Sequence, residues 1–166
     1  MEDKPAIDWS QFIIEMPFSE KASIIEEAWT TQSGIESWFL KSAFFKSKDG
    51  LIRNPVEKVK PGDTYTWMWH GWPDSMAEHG EILEPGEGAF FRFAFGKAGI
   101  VSVGFSEKVG EQILWLKQEK IPDDESGRYN WHVGCKTGWT FYLANLKSVI
   151  QGGPDLRNRN QALEMD

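Results

Sequence analysis

The sequence predicts an α+β domain in which a curved antiparallel sheet wraps one long C-terminal helix. Three observations carry that reading. Short apolar runs alternate with turn residues through the middle of the chain, at the spacing of a meander. From about Asn130 to Gln151 the apolar positions switch to helical spacing, in the longest such stretch of the protein. Nine Trp and eleven Phe in 166 residues supply large rings to one interior, and that length suits a single domain.

Residues 1–8 read as a polar tail. The run WSQFIIEMPF (9–18) suits a first strand that ends near Pro17. Ser19 offers a hydroxyl as N-cap for a short helix through EKASIIEEAWT, with Ile24, Ile25 and Ala28 or Trp29 on one side. Thr31 can cap a second short helix, QSGIESWFL, in which Ile35, Trp38 and Phe39 recur at helical spacing.

Strands and turns then alternate. SAFFKS (42–47), TYTWMWH (64–70), MAEHGEILE (76–84), AFFRFAF (89–95), IVSVGFSE (100–107) and QILWLKQEK (112–120) read as strands. KPGD, PGEG, GKAG and KVGE supply turns, where Pro presets the bend and Gly takes positive φ. Neighbours joined by such short turns are antiparallel, because parallel strands need a long crossover. DDESG, after Pro122, reads as a loop. In the terminal helix Trp139, Leu143, Leu146 and Ile150 form one stripe that Cys135 extends, while Lys136, Asn145, Lys147 and Ser148 lie largely elsewhere. Gly152-Gly153-Pro154 stops the helix, and residues 158–166 form a C-terminal tail. The domain is expected over residues 9–157, without repeats or a second domain.

The formal charge of −7, with acids spread along the chain, leaves no basic stripe for nucleic acid or an anionic membrane surface. The single cysteine, Cys135, forbids an internal disulfide. The first residues lack the apolar core of a signal peptide, and no segment approaches the ~18 apolar residues of a membrane span. The expectation is a cytoplasmic protein without cofactor or metal. His70, His79 and His132 lie on different elements with no zinc-ligand spacing.

The order of strand, two helices, meander and terminal helix resembles the START-like, birch-pollen-allergen-like (SRPBCC) superfamily, whose fold is the helix-grip. TTQSGIESWF (30–39), preceded by Trp29, looks like that superfamily's second-helix entry. GWTFYLANLKSVIQGGPDLR (138–157), with LKQEKIPDD (116–124) and CKTGW (135–139), is similar to the AHSA-type branch. Members of that branch are labelled homologues of the heat-shock-protein-90 ATPase activator, mostly as stand-alone small domains. The superfamily holds lipid carriers, hormone and steroid binders and polyketide cyclases, so fold alone does not choose a function.

A helix gripped by a curved sheet implies an apolar cavity beneath it. Its expected walls are Trp38, Phe39, Trp67, Trp69, Phe91, Phe93, Leu114, Leu116, Cys135 and Trp139, with a solid filling by the same rings as the alternative. Arg92, between Phe91 and Phe93, orients an anionic head group if it points inward, but alternation with Phe90 and Ala94 favours an outward position at least as much; Gln118 offers a second polar anchor. Cys135 reads as an inert apolar filler. Glu78 and Glu81 with His79 between them do not assemble an acid–base pair, since alternation separates them. No catalytic residues are assigned. A hydrophobic-ligand-binding domain therefore ranks first, ahead of a cyclase or dehydratase using the same cavity and a chaperone-accessory interaction module. A homodimer is a further partner compatible with exposed aromatics such as Trp72.

Overall fold

A computed structural model describes residues 5–163. The first strand, β1 (Phe12–Pro17), is shorter than the apolar run, because Trp9 and Ser10 form a turn that Asp8 holds through the Ser10 backbone N–H. Helix α1 (Ala22–Thr30) begins later than expected, and its N-cap position is Lys21 without a side-chain bond, so Ser19 is not the cap. Thr31 does cap α2 (Gln32–Glu36), accepting the Gly34 backbone N–H at 3.0 Å. This helix spans five residues, and the turn after it sends Trp38 and Phe39 into the core.

Six more strands follow: β2 (Ser42–Lys46), β3 (Thr64–Met68), β4 (Glu78–Glu81), β5 (Ala89–Ala94), β6 (Ile100–Lys108) and β7 (Glu111–Glu119). All pairings are antiparallel, in two arrays ordered β1-β7-β6-β5 and β2-β3-β4. The arrays meet where Ile82 bridges Phe93 and where Leu83 N–H bonds Arg92 C=O at 2.8 Å. The Tyr65 hydroxyl crosses the same seam to Ala94 C=O at 2.6 Å. Gly80 stands opposite Tyr65, and a Cβ there would lie 2.3 Å from the Tyr65 hydroxyl oxygen, so only glycine leaves room for that tie. A register shift between Ala89 and Phe91 bends β5.

Helical structure at the C-terminal end starts at Glu125, before the expected Asn130. Asp124 is the reason: its carboxylate accepts Gly127 N–H at 2.7 Å while its carbonyl accepts Arg128 N–H at 2.9 Å, an N-cap inside the presumed loop. A π-helical segment, Gly127–Val133, then runs into α3 (Gly134–Ile150). Trp139, Leu143 and Leu146 are buried against the sheet as the stripe requires, whereas Cys135 and Ile150 are half-buried. Asn145, expected off the buried stripe, is fully buried. Its side chain donates to Trp38 C=O at 2.7 Å and accepts Leu156 N–H at 2.7 Å, so it is satisfied on both ends.

The chain after Gly152-Gly153-Pro154 returns to α2. The buried Arg157 guanidinium donates to the carbonyls of Glu36, Ser37 and Leu40 at 3.0, 3.1 and 2.9 Å, and pairs with Asp155 at 2.7 Å. These are carbonyls at and beyond the α2 C-terminus, where a cation also complements the helix dipole. The Arg157 hydrogen bonds hold the Asp155 carboxyl well below the usual carboxylate range. On the far side, Arg53 forks onto buried Asp63, which fastens the β2–β3 connection.

Candidate functional site

The interior is filled by its own aromatic rings. Trp38, Trp67, Phe91, Phe93, Leu114 and Leu116 lie on the concave side with at most 2% exposure. Trp67 stacks on Tyr65 at 3.8 Å and meets Phe93 edge-on at 5.0 Å, and Trp29 meets Trp38 edge-on at 4.6 Å. This packing leaves the indole N–H groups of Trp29 and Trp67 buried without a hydrogen-bond partner among the described residues.

Open space occurs at one end, where the N-terminal half of α3 stands off from the sheet rim. There a cleft of about 170 Å³ is bounded by Phe39, Trp69 and Phe95 on one side. Cys135, Trp139 and Tyr142 of α3 face them, with Asn130 at the edge. Phe39 meets Trp69 at 4.9 Å and Tyr142 at 4.8 Å, edge-on to both, and lies tilted over Trp139 at 4.8 Å. Phe95 reaches Trp139 at 6.0 Å. Five rings therefore converge on one opening. Gly134 and Gly138, one helical turn apart, keep the α3 side of it low, and nothing lies within 4 Å of a Cβ built at Gly138.

Four of the expected wall residues, Phe39, Trp69, Cys135 and Trp139, thus border the cleft, and the other apolar ones stand in the packed core. Gln118 is fully buried and spent internally. Its amide donates to Ala98 C=O at 2.9 Å and accepts the Trp139 indole N–H at 2.9 Å, so it positions the cleft wall and offers nothing to a ligand. Arg92 points away from the interior, on the face opposite Phe91 and Phe93, where it lies 3.8 Å from Glu119. Of the two orientations open to Arg92, the outward one is found: strand alternation puts Phe91 and Phe93 inside and Arg92 out. Burial pushes the Cys135 thiol up from its ordinary value, which suits a filler and not a nucleophile.

Phe95 and Tyr142 escaped the sequence reading although both had a signal. Phe95 continues the Phe91–Phe93 alternation, and Tyr142 follows Trp139 by three helical positions. Glu78 enters the sequence reading only beside His79 and Glu81, the nearest approach to an acid–base cluster. It pairs in register with buried Trp67, and its Oε1 would lie 2.8 Å from a Cβ at Gly96, just past cleft-lining Phe95. No hydrogen bond or ion pair to the Glu78 carboxylate occurs among the described residues, and burial raises its pKa above the ordinary carboxylate value. His79 faces the other way and contacts the Thr66 hydroxyl at 3.2 Å.

On the other side of Trp69 lies a more polar hollow of about 280 Å³, with Lys41, His70, Trp72, Asp74 and Gln161 around it. The Lys41–Asp74 pair closes on itself at 2.9 Å. His132 is buried, bonded to Trp9 C=O at 2.9 Å, and lines neither opening. No group of three His, Cys, Asp or Glu suited to a metal ion occurs among the described residues. Among the same residues no helix is long and apolar enough to cross a membrane.

This architecture is the helix-grip fold, and solved structures share it. SSP2350 from Staphylococcus saprophyticus matches with a TM-score of 0.63 at 17% identity, over 89% of this chain and 96% of that one. The Aha1 dimer from Colwellia psychrerythraea matches with a TM-score of 0.63 at 11% identity, over 86% and 97%. SA2116 from Staphylococcus aureus, a protein of unknown function, gives 0.59 at 15% identity, over 86% and 93%. No family model and no curated protein sequence matches the chain.

Proposed function

We propose that this chain binds a small hydrophobic molecule in the cleft between the sheet rim and the N-terminal half of α3. The observation that carries the reading is the convergence of Phe39, Trp69, Phe95, Trp139 and Tyr142 on one opening in an otherwise filled interior. Trp69, Phe95 and Tyr142 keep part of their surface exposed there, and covering it gains about 25 cal/mol for each Å² of apolar area. A cleft of about 170 Å³ accommodates the end of a ligand, not a whole lipid. Binding without chemistry fits the polar groups better than a cyclase or dehydratase role, because Gln118 is internally satisfied and Arg92 faces outward.

The test is mass spectrometry of the purified protein, native and then denatured, alongside titration with the neutral dye Nile red. A co-purifying apolar species, or saturable dye binding that Trp69→Ala abolishes, supports the reading. Neither a carried ligand nor saturable dye binding would sink it. A second copy of the chain is also proposed as a partner, since Phe44, Trp72 and Phe141 are each about 40% exposed and the Colwellia protein was solved as a dimer. Light scattering at twice 19.0 kDa supports that proposal, and a value at 19.0 kDa removes it.

A further inference from the structure

We propose that the rim formed by residues 46–60 docks onto an anionic membrane surface, its lysines meeting lipid headgroups and its exposed aliphatic side chains entering among them. The segment connects β2 to β3 and is held in one shape. Lys46 bridges Ile52, Ser47 N–H bonds Leu51 C=O at 2.8 Å, and Arg53 N–H bonds Phe45 C=O at 2.8 Å, which closes a hairpin beside β2. Further on, Ser33 N–H bonds Pro55 C=O at 2.9 Å and Val59 N–H bonds Thr30 C=O at 2.8 Å, so both short helices fasten it. In this ordered segment Leu51 is 70% exposed, Ile52 60% and Val56 72%. A single exposed aliphatic side chain is ordinary, but three within six positions of a fastened loop put apolar area in one place.

The charge around them is basic. Lys46, Lys48, Lys58 and Lys60 are exposed, and none forms an ion pair among the described residues. Of the acids between 46 and 63, Glu57 and Asp63 are both engaged by Arg53, and Asp49 is left to oppose the four lysines. Lys48 lies across Gly62, where its side chain occupies the space a Cβ would need, so the hairpin packs on the turn that carries Lys60. The chain-wide charge of −7 conceals this rim, because acids and lysines are interleaved in sequence and only the structure shows which acids are spent. Lysines flanking exposed aliphatics match an anionic bilayer on both counts, attraction to the headgroups and burial of apolar area.

A protein partner fits the rim less well. The outer edge of β2 is closed to an added strand, since the Glu36 carboxylate accepts Ala43 N–H at 2.8 Å and Arg53 N–H occupies Phe45 C=O. No residue of the rim lines either opening described above. A fluid headgroup layer needs no matching groove.

The experiment is co-sedimentation of the purified chain with phosphatidylcholine vesicles, plain or containing phosphatidylglycerol. The anionic vesicles are expected to retain the chain about tenfold better than the neutral ones, with added salt weakening the retention. The double variant Lys58→Glu/Lys60→Glu should lose about tenfold in that binding. Leu51→Ser/Ile52→Ser should weaken it too while keeping its salt dependence. None of these four side chains makes a hydrogen bond or ion pair among the described residues, and near-ultraviolet circular dichroism checks that each variant is folded. Equal retention by both vesicle types, or retention that survives both double variants, overturns the proposal. Retention by neither overturns it as well, and saturable binding of polyglutamate in that case would assign the rim to an acidic protein chain.

Discussion

The side-chain oxygen of Gln118 accepts the indole N–H of Trp139 at 2.9 Å, with both residues buried. The contact joins β7 to α3 at the back of the cleft. The same amide donates to Ala98 C=O, so one side chain ties the terminal helix, the sheet and the β5–β6 turn together. Replacing Gln118 with Met keeps the volume but strands the indole N–H and the Ala98 carbonyl. A loss of about 2–3 kcal/mol in urea unfolding is expected. In the Trp139→Phe background the same substitution should cost visibly less, and additive losses would show that the two residues are not coupled.

Arg157 latches the chain end onto α2 through three carbonyls and Asp155. Arg157→Ala removes the guanidinium and leaves those carbonyls without a donor, at a cost of about 3 kcal/mol. Lysine should rescue little, because an ammonium cannot fork across this geometry. A loss below a third of that value in chemical unfolding would mean the latch is dispensable.

Asp155 gives the latch a pH signature. Its folded pKa is depressed, so its contribution to stability is full above the ordinary value of 3.8 and is lost as pH falls through the folded value. Wild type is expected to lose stability between pH 4 and 2 more steeply than Asp155→Asn, which should be weaker at neutral pH and flatter in acid. Parallel acid limbs for the two proteins would refute the assignment.

Gly138 separates the cleft from the fold. A Cβ there meets open space and the residue lies in the interior of α3. Gly138→Ala should raise stability by about 0.5–1 kcal/mol through helix propensity. Gly138→Leu should stay folded while filling the opening, so that Nile red no longer saturates. Unchanged dye binding by a folded Leu variant would place the ligand elsewhere.

Cys135 borders the cleft, yet burial holds its thiol in the neutral form. Its reaction with a disulfide reagent at pH 7.5 should be slower than that of a free thiol by about tenfold or more. Occupation of the cleft should slow it further. A rate equal to free cysteine would contradict the burial.

The order of strands, the two helices after β1 and the stop at Gly152 are legible along the chain because each depends on local spacing and turn chemistry. Thr31 as a cap and the Trp139–Leu143–Leu146 stripe follow from the same local rules. Asn145 was not legible, since its burial depends on Trp38 C=O and the returning segment at Leu156, contacts more than ten residues away in sequence. The π-helical entry to α3 was hidden too, because Asp124 sits in a stretch whose acids and glycine read as loop.

The residues that line the cleft show where local reasoning ends. Sequence by itself determined that large rings share strand faces, because alternation puts Phe91 and Phe93 on one side. Only the tertiary structure decided which rings close into solid core and which stand open. Trp38 and Trp67 are fully buried, whereas Trp69, Phe95 and Tyr142 stay half-buried around the opening beside Gly134 and Gly138 of α3. Volume left unfilled is a property of three elements at once.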